Sequence, residues 1–172
     1  MPTKATKLTR RELLRRSASL GALVVAGAGF ISAPDASWAV EVTEISEHEM
    51  ATLLQMARDI YPHDRVGDEY YAVAVKGYDS ADAKAMVAEG VASLDALAVE
   101  AGYPSYVEAQ WEDNRVAILK QVEDSGFFQT VRGGLVTGLY NQKAVWPIFG
   151  YEGESFSKGG YINRGFDDIN WL

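Results

Sequence analysis

The chain has 172 residues, no cysteine, and 16 basic against 24 acidic residues, a net charge of −8. The missing thiol excludes disulfides, thiolate metal sites, iron–sulfur clusters, a covalently attached c-type haem and a cysteine nucleophile. A hydrophobic content of 48% with 11% aromatics supplies a core and argues against disorder.

The chain opens on Thr9-Arg10-Arg11-Glu12-Leu13-Leu14-Arg15, a paired arginine followed by two leucines and another basic residue. Residues 17–33 then carry no charge and are built mostly from Ala, Gly, Val and Leu, and Ser37-Trp38-Ala39 places small residues where a signal peptidase inspects them. A basic n-region, an apolar h-region and a small-residue exit predict a secretory signal cleaved after Ala39. Arg10 and Arg11, with Leu13 and Leu14 behind them, select the twin-arginine route. The rival reading is an uncleaved anchor, but the apolar run is diluted by Gly21, Gly27 and Gly29 and falls short of the roughly 20 apolar residues a spanning helix needs. A basic helix lying on the membrane does not fit, because the run has no polar face. The twin-arginine route exports proteins already folded in the cytoplasm, commonly with a cofactor or a partner, so the expected location is periplasmic. A chain without cysteine can complete its fold in a reducing cytoplasm, in keeping with that route.

Removing residues 1–39 from the 172 leaves 133, the size of one domain. The leader takes six of the basic and two of the acidic residues, so the mature part has 10 and 22, a net charge of −12. Such a surface repels nucleic acid and anionic headgroups.

The first mature helix is predicted to start at Ser46, which has capping-box spacing to Glu49, and to end near Tyr61, before Pro62. Met50, Leu53, Leu54, Ala57 and Ile60 make its apolar stripe. A loop follows through His63, Asp64, Gly67 and Asp68, and residues 70–75 read as a short helix or a strand, with helix favoured. Ser80 is a predicted N-cap for a helix with Met86, Val87, Val91, Leu94 and Leu97 on one face and Glu89, Ser93 and Glu100 on the other, closed by Gly102. Tyr103-Pro104 is a turn. Ser105 and Glu108 repeat the capping-box spacing and predict a helix from about Tyr106, broken near Asp113 and resumed through Val116, Ile118, Leu119 and Val122 to a stop at Ser125-Gly126. Phe127, Phe128, Val131, Leu135, Leu139 and Tyr140 outline a last helix. Its Gly133, Gly134 and Gly138 each cost about 1 kcal/mol relative to alanine, which points to close packing against a neighbouring helix or to a local break. The fold class is therefore all-α, a small irregular helical bundle over residues 40–141 followed by an irregular tail over residues 142–172.

That tail has neither helical nor strand periodicity, yet it holds Trp146, Phe149, Tyr151, Phe156, Tyr161, Phe166 and Trp171 among glycines and acids. Long irregular segments of this kind are functional or disordered, and seven aromatics argue against disorder. The tail either wraps its own helices or offers aromatic anchors to a partner.

Residues for catalysis are scarce. Asp59 and His63 have i, i+4 spacing, but Pro62 unwinds that register and a metal site needs at least three ligands. Glu152, Glu154, Asp167 and Asp168 are carboxylates without a recognisable cleft to raise one pKa. There is no nucleotide-binding glycine fingerprint preceded by a strand and no G-x-S-x-G elbow. An export label that implies a folded cargo, on a chain with no cofactor site, is reconciled if the cofactor sits on another chain.

The tail motifs Leu139-Tyr140-Asn141, Val145-Trp146, Phe149-Gly150-Tyr151-Glu152-Gly153, Gly159-Gly160-Tyr161 and Arg164-Gly165-Phe166-Asp167-Asp168-Ile169-Asn170-Trp171-Leu172 resemble the gluconate 2-dehydrogenase subunit 3 family, as does the twin-arginine leader. The likeness is close in the tail, loose in the helical middle, and departs from the family where a proline is expected after the final Trp-Leu. It implies a non-catalytic small subunit without a cofactor of its own. Its partner would be a large flavoprotein of the glucose-methanol-choline oxidoreductase type that oxidises a sugar, sugar acid or polyol with FAD, often passing electrons to a multihaem cytochrome c. The small subunit would carry that flavoprotein through the twin-arginine translocase. On this reading Tyr140, Trp146, Phe149, Tyr151, Tyr161, Arg164, Phe166, Asp167, Asp168 and Trp171 are the docking residues. The alternative is a free-standing secreted protein whose aromatic tail lines a carbohydrate pocket.

Overall fold

Ser46 opens the helical body with the capping box its spacing predicts: its hydroxyl accepts the Glu49 N–H at 3.2 Å, and the Glu49 carboxylate accepts the Ser46 N–H at 2.6 Å. The computed structural model describes residues 40–164 and Phe166, together with the backbone of two short strands, β1 Val24–Ala26 and β2 Phe30–Ser32. Those strands pair antiparallel, Val25 opposite Ile31, and β2 pairs in turn with β3 Val40–Glu41, Ile31 opposite Val40. Arg10, Arg11, Leu13, Leu14 and Ala39 lie outside the described residues.

The body is an all-α fold of five helices among the described residues: α1 Glu47–Ile60, α2 Asp68–Val75, α3 Ala81–Glu100, α4 Glu112–Leu119 and α5 Gly126–Tyr140. Their starts follow the caps. The Ser80 hydroxyl accepts the Ala83 N–H and the Ser125 hydroxyl the Phe128 N–H, each satisfying an orphan donor of a first turn. At the end of α3, Gly102 takes a left-handed φ of 90°, and its N–H bonds to Val99 O while the Tyr103 N–H bonds to Ala98 O, a Schellman closure that a β-carbon would strain. The helix favoured over residues 70–75 forms and begins two residues earlier, at Asp68, which the sequence assigned to the loop.

Buried faces agree with the predicted stripes. Met50, Leu53, Leu54 and Ala57 of α1, Val87, Val91 and Leu94 of α3, and Val131, Leu135 and Leu139 of α5 share one core with Tyr71, Val75, Tyr106 and Ile118. Burying a side chain of this size contributes about 1.5–3 kcal/mol. Helix α5 runs unbroken through its glycines, and at two of them a neighbour occupies the space the side chain lacks. At Gly138 a β-carbon would stand 3.0 Å from Ala74 O of α2, and at Gly134 it would collide with the Tyr78 hydroxyl, which donates to Thr130 O at 3.0 Å. Gly133 faces open space.

One predicted helix does not form. From Tyr106 the chain makes a single turn, with Glu108 N–H to Ser105 O and Ala109 N–H to Tyr106 O, and then runs extended to Trp111, so α4 begins only at Glu112. The Ser105 hydroxyl bonds to the Glu108 carboxylate in place of a backbone cap, the Tyr106 N–H is taken by Asp95 at 2.9 Å, and Ala109 O is taken by Arg115 Nη1 at 2.8 Å. That last carbonyl is the acceptor the next helical turn would need. Tertiary bonds have outcompeted the local pattern.

The start of the body is stapled by Asp79, just after the 3-10 turn Lys76–Tyr78. Its carboxylate accepts N–H groups of Thr43 (3.0 Å), Glu44 (2.7 Å) and Ile45 (3.1 Å), the Thr43 hydroxyl (3.1 Å) and the Lys76 ammonium (2.7 Å). Burial alone would raise its pKa, but the Lys76 ammonium and the three backbone donors outweigh that and hold it far below the carboxylate range.

Candidate functional site

The tail divides into two halves with different physics. In the first, Val145 is fully buried in the core, and Gln142 Nε2 donates to Tyr70 O at 2.8 Å and Gly138 O at 2.7 Å. Trp146 Nε1 donates to Tyr140 O at 2.8 Å, and the 3-10 turn Trp146–Phe149 brings Phe149 back over the body. There His63, from the loop after α1, meets Phe149 edge-on at 4.9 Å and Tyr140 at 5.6 Å between ring centroids, while Tyr61 packs edge-on against Tyr140 at 5.7 Å. His63 Nε2 stands 2.6 Å from Tyr140 Oη. Gly153, with a φ of 96°, lets the chain turn against the Trp146 ring, onto whose other contact Tyr151 packs edge-on at 5.2 Å.

The second half, from Glu154 onward, is held mainly by its own bonds. The Glu152 carboxylate pairs with Lys158 and Arg164, and the Gly160 N–H closes a turn onto Ser155 O at 2.8 Å. Its large apolar side chains point into solvent: Phe156 is 94% exposed, Tyr161 77%, Ile162 79% and Phe166 76%. Four such side chains within eleven residues are far from the ordinary scatter of single surface hydrophobes.

The candidate docking residues therefore fall into three groups. Tyr140, Trp146 and Phe149 are half-buried anchors of the tail on its own body, with Tyr151 stacked on Trp146. Tyr161 and Phe166 are exposed, and Arg164 is engaged by Glu152. Asp167, Asp168 and Trp171 lie outside the described residues. The first half wraps its own helices, and the second half leaves its apolar side chains exposed. Phe156 and Ile162 were not singled out as docking residues, because each is a lone apolar side chain among polar neighbours and their exposure is visible only in the fold.

Asp59 and His63 do not converge: Asp59 points into the core, where Tyr106 Oη donates to it at 2.6 Å and Arg115 at 2.7 Å and 2.9 Å, and His63 points to the tail. Burial, followed by the Asp59 charge, pushes the Tyr106 phenol well above its ordinary value. Burial, then the Arg58 charge, holds the His63 imidazole below its ordinary value, against the pull of Asp64. Among the described residues no group of three or more His, Asp or Glu side chains is placed to hold a metal ion, and no helix is long and apolar enough to cross a membrane. An open cleft of about 280 Å³ between α3 and α5 is lined by Met86, Glu89, Gly90, Ser93, Val122 and Phe127, with Glu89 as its single ionisable group. Compared with family models, curated proteins and solved structures, the chain matches none.

Proposed function

We propose that the chain is the non-catalytic small subunit of a periplasmic FAD-dependent dehydrogenase acting on a sugar, sugar acid or polyol, and that it stabilises the flavoprotein subunit and carries it through the twin-arginine translocase. The observation that carries this reading is the tail: a root fixed to the helical body by Val145, Trp146 and Tyr140, and beyond it four exposed apolar side chains. A fixed root limits the conformational entropy lost when the exposed half docks, and aromatic side chains on such a half are the residues that dominate binding hot spots. The class of the partner comes from the resemblance of the tail and the leader to gluconate 2-dehydrogenase subunit 3. FAD belongs to the partner, and the electron-accepting cytochrome, where one joins, is a third chain.

The test of the carrier role is the double substitution R10K/R11K in the native host. It is expected to leave both this chain and the flavoprotein in the cytoplasm. Normal export of the flavoprotein would contradict it.

A further inference from the structure

The root of the tail depends on one titratable group. His63 comes from the loop that follows α1, and Tyr140 and Phe149, 77 and 86 residues further on, are held against it by ring contacts and by the 2.6 Å bond from His63 Nε2 to Tyr140 Oη. Against the imidazole stand the ring and phenol of Tyr140 of α5 and the ring of Phe149, while Tyr71 of α2 approaches only the His63 backbone. The charges that face it are Arg58 of α1, which is bonded to Asp68, and Asp64 of its own loop. None of the described carboxylates bonds to it. The chain's other histidine, His48, differs in this respect: it stands 2.6 Å from the Asp95 carboxylate.

We propose that His63 is a proton-operated latch on the root of the docking tail. Neutral, it accepts the Tyr140 hydroxyl and packs as an apolar ring between Tyr140 and Phe149. Protonated, it can no longer accept the Tyr140 hydroxyl and puts a charge on a half-buried ring near Arg58, and the arrangement that relieves this is one in which His63 swings to solvent and Phe149 loses its support. Phe149 and Trp146 belong to the same 3-10 turn, so loosening one frees the other, and the exposed half of the tail loses its fixed base. The sign is set by the depressed basicity of His63: the latch is closed above the ordinary histidine value of about 6.5 and opens as the pH falls through the lower value of the folded chain. The consequence for docking rests on the small-subunit reading; the latch itself does not.

The experiment is amide hydrogen exchange of the full chain at about pH 7.5 and about pH 5, corrected for intrinsic exchange, alongside an NMR titration of the two imidazoles. Protection over residues 140–151 is expected to fall roughly tenfold at the lower pH while that of α3 is unchanged, with His63 titrating below its ordinary value. His63→Phe, which keeps a ring in the site, is expected to abolish the pH dependence, and His48→Asn to leave it in place. Equal protection at both pH values, an equal fall in His63→Phe, or a His63 titration at or above the ordinary value would each overturn the latch. A latch that opens as described in a chain that captures no flavoprotein at either pH would leave this inference standing and remove the partner reading.

Discussion

Arg115 grips Asp59 along one edge of its guanidinium, Nε to Oδ2 at 2.7 Å and Nη2 to Oδ1 at 2.9 Å, and so ties α4 to the last turn of α1. Tyr106 and Gln55 fill the remaining acceptor sites of the carboxylate. Removing one partner strands a buried charge, so Arg115→Met is expected to cost about 3 kcal/mol in a urea melt. The triple variant D59L/Y106F/R115M removes the stranded groups together and is expected to cost less than Arg115→Met alone. A larger cost would mean that the ionic pair stabilises the fold beyond what apolar packing can replace.

Thr52 of α1 is fully buried, and its hydroxyl has no hydrogen-bond partner among the described residues. Thr52→Val keeps the shape and removes the desolvated oxygen, and is expected to raise stability by about 0.5–1 kcal/mol. A loss in thermal or urea denaturation would reveal an acceptor for that hydroxyl.

The glycines of α5 should respond in opposite directions. Gly133 faces open space, so Gly133→Ala is expected to stabilise by about 1 kcal/mol through helix propensity. Gly138→Ala places a methyl against Ala74 O and is expected to destabilise by about 1–3 kcal/mol. Paired urea melts decide this, and equal effects would contradict the packing of α2 on α5.

Asp79→Asn weakens five hydrogen bonds at the start of the body and is expected to cost about 2 kcal/mol near neutral pH. Because the carboxyl is held below its ordinary value, its contribution is complete above about pH 4 and is lost as the pH falls through the lower folded value. The difference between wild type and variant should therefore stay constant between about pH 5 and pH 8 and shrink only in stronger acid. A difference that vanishes already by about pH 5 would mean the staple is not formed.

Helix starts were legible in the sequence at Ser46 and Ser80, where a serine hydroxyl supplies an acceptor for a free N–H of the first turn; Ser125, read only as a stop, caps the next helix in the same way. Ser105 has the same spacing and does not start a helix, because Tyr106 is held by Asp95 and, from 47 residues away, by Asp59, and Ala109 O is captured by Arg115. Gly133, Gly134 and Gly138 in the interior of α5 look alike in sequence; only the positions of Ala74 and Tyr78 separate them. In the tail, the aromatic set was visible as a set, but its division into an anchored and a free half depends on His63 meeting Tyr140 across 77 residues, which no local pattern encodes.

The central claim is that the exposed half of the tail docks a flavoprotein. It is tested most directly by affinity capture from the native host of the tagged full chain and of a chain ended at Gly153, which keeps Val145 and Trp146, with an absorption spectrum of each eluate. The full chain is expected to bring down a large protein with flavin bands, and the shortened chain, still helical by circular dichroism, is expected to elute without it. A colourless, monomeric full chain, or a shortened chain that retains the flavoprotein, would contradict the claim.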